Sequence, residues 1–220
     1  MTRLYGAALS PFVRKVAVLL EEKSITYEWI AVRPHDRNPD FQAISPLGKI
    51  PAFQDDRIAL ADSSVISLYL EKTYPEPALY PTDTVQFAQA LWFEEFCDGA
   101  LVPAMSVIYF QKFFNPTYLA KPTDQALLTE AIEVKVPPLL DYLESQLVLN
   151  QWIVGQEFSI ADIALTVGFL NMQMAGYPLD SKRYPKLTAY IERAYARPSF
   201  VKVNAATRAF LATVKAKAAS

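Results

Sequence analysis

Ser10 is the residue around which this chain can most readily do chemistry, within Ala8-Leu9-Ser10-Pro11-Phe12-Val13-Arg14-Lys15. Serine is a preferred helix N-cap, and proline suits the first helical position because its missing N–H had no partner there. Phe12, Val16, Leu19 and Leu20 follow at helical spacing, with Arg14, Lys15, Glu21 and Glu22 expected on the opposite face. A hydroxyl in that place stands at the positive end of a helix, where free N–H groups and the macrodipole stabilise an anion. Two readings stay open on this segment alone. Ser10 caps the helix and nothing more, or it also donates to a bound anion. It is not set up as a nucleophile, since no histidine stands near it in sequence to activate it.

The rest of the composition narrows the field by exclusion. With 21 basic and 23 acidic residues the 220-residue chain carries a net charge of −2, so no basic surface for nucleic acid is expected. One cysteine, Cys97, excludes an intrachain disulfide and fits a reducing compartment. With His35 as the one histidine, no metal site of the usual zinc type is expected. Pro11, Arg14 and Lys15 interrupt the apolar N-terminus before it reads as a signal peptide, and no run approaches a membrane span. The expectation is a soluble cytoplasmic protein with no membrane partner.

The elements that must position Ser10 follow from pattern. Arg3-Leu4-Tyr5 reads as a strand, Ser10 onward as a helix, and the β-branched and aromatic run Ile25–Val32 as a second strand, giving a βαβ unit. Phe41–Ile44 predicts one or two helical turns before Pro46 and Gly48. Ile50–Gln54 and Ile58–Leu60 flank a polar turn as a hairpin. Pro51 requires either an edge position or a cis bond. A helix follows from Ser63 to about Thr73. The order βαβ, connecting turn, ββα is the thioredoxin arrangement. Prolines 75, 77 and 81 mark a linker, beyond which helical patterns cover about 84–114, 124–148, 159–174, 184–195 and 199–216. Pro137-Pro138 should kink or break the second of these near Val136. Ser159 and Asp162 form a capping box, with Phe158 and Ile163 at staple spacing, a structural device. The fold class is thus an α/β thioredoxin-like domain over 1–76 followed by an all-α domain over 84–220.

Taken together, these pieces resemble the cytosolic glutathione transferase family over nearly the whole chain. Leu4-Tyr5…Ser10-Pro11-Phe12-Val13-Arg14-Lys15-Val16 is similar to its serine-type members, found in bacteria and plants. Pro46-Leu47-Gly48-Lys49-Ile50-Pro51, Asp62-Ser63-Ser64, Phe158–Ile163 and Arg197-Pro198-Ser199-Phe200 match further motifs of that family, in order and spacing. The resemblance implies glutathione as co-substrate, held as a thiolate by Ser10 for attack on a small hydrophobic electrophile. It implies backbone contacts from Ile50 ahead of a cis Pro51, Ser63 at the γ-glutamyl carboxylate with Asp62 near the ammonium, and Lys49 at the glycyl carboxylate. It also implies an electrophile pocket walled by Phe12, Tyr109, Phe110 and Phe113, with Phe114 beside them, and a homodimer.

The chain departs from the family in places. Many relatives have glutamate at the position of Asp62, and Gly48 replaces a basic or polar residue of some classes, with His35 and Arg37 nearby in the loop. Tyr5 stands one residue away from the position used by tyrosine-type members, which is Gly6 here. No cysteine occupies position 10, as glutaredoxin-like members would have. The alternatives are a non-catalytic regulatory or binding module, or another glutathione-dependent enzyme such as an isomerase, dehalogenase or peroxidase.

Overall fold

The computed structural model describes residues 1–148 and 151–218. They form two compact units, one made of Met1–Tyr80 together with Pro198–Lys217, the other of Pro81–Arg197.

In the first unit four short strands, β1 (Arg3–Tyr5), β2 (Glu28–Ile30), β3 (Ala52–Gln54) and β4 (Ala59–Ala61), form one sheet in the order β2-β1-β3-β4. β1 runs parallel to β2 and antiparallel to β3, with Leu4 opposite both Trp29 and Phe53. Helices α1 (Pro11–Glu22), α2 (Pro39–Ile44) and α3 (Ser63–Thr73) complete the thioredoxin-like order. Leu4, Val13, Val16, Leu20, Phe41, Phe53, Ile66 and Leu70 are at most 1% exposed and make the core.

Two sequence expectations change. β2 covers only three of the eight residues read as strand. The Ile25 N–H instead donates to Leu20 O, so that stretch closes the end of α1 before the strand begins. The proline-rich segment after α3 is tied down rather than loose. Buried Lys23 pairs with Glu71 at 2.7 Å and donates to Tyr74 O and Pro77 O, while Glu71 accepts from the Leu79 and Tyr80 N–H groups.

In the second unit α4 (Thr84–Phe96), α5 (Val102–Tyr109) and α6 (Asn115–Tyr118) are joined by π-helical turns at Cys97–Leu101 and Phe110–Phe114. Next come α7 (Gln125–Glu130), a π-helical turn at Ala131–Lys135 and α8 (Val136–Gln146), then α9 (Ile160–Val167), α10 (Phe169–Met174) and α11 (Pro185–Tyr195). The helix around Pro137-Pro138 does not break. The π turn shifts the hydrogen-bond register just before Val136, which puts the prolines in a first turn, where their missing N–H groups are not needed. All eight residues of α9 are buried, which makes it the central helix of this unit.

The last helix, α12 (Pro198–Ala218), belongs to the first unit. There Ser199 Oγ donates to Glu22 and Lys202 pairs with Glu21 at 2.8 Å. Among the described residues no helix is long and apolar enough to cross a membrane.

Candidate active site

The site begins where β1 ends. A side chain on Gly6 would put its Cβ 2.4 Å from a Val13 methyl and 3.4 Å from Ile50 Cβ, so α1 and the Ile50 segment both close on this glycine. Only the missing Cβ permits that approach. The Ala7–Leu9 turn then delivers Ser10, which sits in extended backbone as the N-cap of α1, with Pro11 as the first helical residue. Ser10 Oγ accepts from the Val13 N–H at 3.4 Å, a long and weak bond. Among the described residues its hydroxyl hydrogen has no acceptor. Ser10 is half-buried. A helix start, a loosely engaged oxygen and an uncommitted proton thus meet at one atom.

Arg14 and Lys15 do not lie on a solvated face as the helical spacing suggested. Arg14 is 1% exposed and donates to Ala8 O at 3.0 Å, which braces the turn that carries Ser10. Lys15 is fully buried, and its ammonium donates to Ser64 Oγ at 3.0 Å and Ser63 Oγ at 3.5 Å, at the start of α3. The signal was present in Val16-Ala17-Val18-Leu19-Leu20, five consecutive apolar residues, all buried here. A helix that is apolar all round has no polar face to offer.

The Ile50–Pro51 bond is cis, the one of the two options for this proline that the resemblance implied. Ile50 is half-buried, and among the described residues no hydrogen bond reaches its backbone N–H or C=O. Pro51 O accepts from the Asp62 N–H at 3.4 Å, bringing the cis-proline segment beside the start of α3. Asp62 is the exposed N-cap of α3 with φ of 86°, and its Oδ1 accepts from the N–H groups of Ser64 and Val65 at 3.0 and 3.2 Å. Aspartate is among the few non-glycine residues that tolerate a positive φ. Ser63 is buried next to it.

These contacts bring Ser10, Ile50, Pro51, Asp62 and Ser63 to one edge of the first unit. Lys49 differs: its side chain is exposed, and it is held through its backbone, where Ser45 Oγ donates to Lys49 O at 2.7 Å. Its neighbour Gly48 is covered by His35, whose Nδ1 would lie 2.7 Å from a Cβ at that position. His35 therefore stands closer to the Lys49 segment than its place in the loop suggested. Tyr5 is half-buried and donates to Gln54 Oε1 at 2.9 Å, so its hydroxyl is already engaged. Phe12 is half-buried at the start of α1.

In the second unit Tyr109, Phe110, Phe113 and Phe114 pack with ring centroids 5.3 to 6.2 Å apart, an arrangement that Tyr118 extends. Tyr109 and Phe113 are largely buried, whereas Phe110 is 44% exposed. Among the described residues no group of three or more histidine, cysteine, aspartate or glutamate side chains could hold a metal ion.

Known proteins carry the same organisation. Residues 4–78 match the family described as glutathione S-transferase, N-terminal domain, and residues 109–205 match the glutathione S-transferase, C-terminal domain. The chain belongs to the glutathione S-transferase family. Among its relatives, glutathione S-transferase 3 of Zea mays is 31% identical over 211 residues, covering 93% of each chain. The crystal structure of glutathione transferase F2 from Populus trichocarpa superposes with a TM-score of 0.83 at 26% identity, over 95% of this chain and all of that one. A glutathione S-transferase from Methylobacterium radiotolerans, solved in complex with glutathione sulfonate, aligns with a TM-score of 0.76 at 28% identity, over 92% and 93%. As a member of this enzyme family the chain is a glutathione transferase. Lys15 is the residue of this transferase's first helix whose buried place the helical spacing did not show.

Proposed function

We propose that this glutathione S-transferase is of the serine type, and that Ser10 holds the thiol of bound glutathione as the thiolate. The observation that carries this reading is the Ser10 hydroxyl, which caps a helix weakly and keeps its proton unspent. A free thiol with a pKa near 8.5 is only a few per cent ionised at pH 7. Lowering that value by about two units requires about 2.7 kcal/mol. One hydrogen bond to a charged sulfur supplies about 1.5–3 kcal/mol, and a helix N-terminus adds about 0.3–1 kcal/mol. The two together are sufficient. The thiol proton passes to solvent, Ser10 donates without giving up its own proton, and the sulfur lone pair forms the new C–S bond as the leaving group departs with its electrons.

The rest of the tripeptide is read along the same edge. The free N–H and C=O of Ile50 suit the cysteinyl backbone, and the α3 start with Ser63 suits the γ-glutamyl carboxylate, with Asp62 toward the ammonium. Lys15 has a supporting part here. By donating to the hydroxyl oxygens of Ser63 and Ser64, its ammonium adds positive charge at the α3 start, which suits a carboxylate. Lys49, with His35 beside it, suits the glycyl carboxylate. Phe12, Tyr109, Phe110 and Phe113 are read as walls for a small hydrophobic electrophile, and the cytoplasmic enzyme as a homodimer, which light scattering at micromolar concentration tests.

The decisive experiment follows thiolate absorbance of bound glutathione against pH in the wild type and Ser10→Ala. A rise of one to two pKa units in the variant is expected, with conjugation at neutral pH down roughly ten- to hundredfold. Overlapping titrations would leave Ser10 a cap and require another donor to the sulfur.

A further inference from the structure

Two of the irregularities of the helical unit stand close to one cavity. The π-helical turn at Ala131–Lys135 widens the helix just before Pro137, and Gly168 separates α9 from α10. At Gly168 a Cβ would lie 2.5 Å from the Met105 methyl, so the glycine admits the end of the Met105 side chain.

Ile132 of the π turn and Phe169, next to Gly168, both line one cavity of about 150 Å³. Ile132, Val136 and Leu140 form one side, Phe169 and Met172 the other, with Met105 between them. Five of those six are no more than 6% exposed. None of the cavity-lining residues belongs to the aromatic cluster of Tyr109, Phe110 and Phe113, nor to the glutathione-side residues.

We propose that this cavity is a second ligand site, one that takes a neutral molecule with a single aromatic ring. Size comes first: an apolar cavity of about 150 Å³ stays dry and admits benzene. Chemistry selects the ring, because the lining presents the aromatic rings of Phe169, Tyr177 and Tyr184 and the thioethers of Met105 and Met172. Ring edges and sulfur both favour aromatic partners, and methionine adapts its shape to what enters. Neutrality follows from an apolar interior with no charge to pair with, and from the mouth, where the Arg183 cation is already matched. Arg183 makes two 2.9 Å bonds to Asp141, and the Tyr184 hydroxyl is bound to the same carboxylate. Asp180 is engaged by the Lys182 and Arg183 N–H groups. An anionic ligand would meet an arginine already paired and the Asp180 carboxylate.

The methionines provide a test that does not depend on catalysis. The chain has four, of which Met105 and Met172 line the cavity and Met1 and Met174 do not. Full-length protein labelled with ¹³C at the methionine methyls is titrated with toluene and, separately, with benzoate. Toluene is expected to shift the Met105 and Met172 signals saturably, leaving Met1 and Met174 in place, and benzoate to shift none. Leu140→Trp fills the cavity and should abolish the toluene response; Leu140→Phe, which adds less volume, does the same if the tryptophan variant does not fold. The proposal is overturned if neither cavity methyl responds up to the solubility of toluene, if Met174 shifts equally, if benzoate acts as toluene does, or if the filled variants respond as the wild type does.

Discussion

Two serines in this molecule hold the same local office, and only one of them is free to do anything else. Ser159 caps α9 and is 2% exposed; its N–H and its hydroxyl both donate to Asp162, at 2.6 and 3.0 Å. The same carboxylate accepts from the Ile153 N–H and from the Tyr190 hydroxyl, so the Ser159 cap is one part of a closed buried network. Ser10 caps α1 through one long bond, with its proton uncommitted and its surface only partly covered. Sequence pattern identified both as caps. Chemistry is available only where the hydroxyl is left over after the cap has been made.

The largest effect should come from breaking the closed network. Asp162→Ala strands the donors of Ile153, Ser159 and Tyr190 in the core, at about 1–3 kcal/mol for each unsatisfied group. A loss of about 3–5 kcal/mol in urea unfolding is expected, with turnover per folded molecule unchanged. A loss below 1 kcal/mol would mean that the two caps are not different in kind. Ser10→Ala reverses the pattern. Its stability should fall by no more than about 1 kcal/mol, while the barrier to conjugation rises by about 1.4–2.7 kcal/mol. Equal losses in folding and in rate would erase the distinction.

Lys15→Met sharpens it further by separating binding from ionisation. With the ammonium gone from the α3 start, KM for glutathione should rise about tenfold, equivalent to about 1.4 kcal/mol. The pKa of the bound thiol should stay where it is, because Ser10 is untouched. A shifted thiol with unchanged KM would place Lys15 in the field of the sulfur instead.

The smallest effect lies in the helical unit at alkaline pH. Burial, followed by the hydrogen bond to Asp141, pushes the Tyr184 hydroxyl up from 10.0 to about 12. The unfolded chain loses that proton first, so the stability it contributes is complete below pH 10 and is lost as pH rises toward 12. Tyr184→Phe should flatten the fall in melting temperature across that window. An unchanged slope would show that the group ionises alike in both states.

Where side-chain type and spacing are local matters, the sequence was readable. Ser10-Pro11, Asp62-Ser63 and the Ser159–Asp162 box all stand at the helix starts that their chemistry indicates. Features that depend on what lies opposite were not. Arg14 and Lys15 read as a polar face because periodicity shows which residues share a side, not whether that side meets solvent or another helix. The three π-helical turns leave no compositional mark, since one extra residue per turn preserves the character of the pattern while shifting its phase. The helical signal of α12 was plain, but its apolar residues fit any core, and the decisive contacts are the single polar pairs to Glu21 and Glu22.

That last helix has a consequence for synthesis. The first unit is interrupted in the chain, opened by Met1–Tyr80 and completed only by Pro198–Lys217, with the helical unit made in between. On the ribosome the second unit therefore has all its residues before the first has its final helix, although domains commonly fold in N-terminal order. Until α12 arrives, the contacts of Ser199 with Glu22 and of Lys202 with Glu21 are missing and the surface that α12 covers stays open. Cutting the gene after residue 80 would yield the incomplete unit, whereas joining Lys217 through a flexible linker to Met1, with new ends in the 81–84 segment, keeps all of its parts.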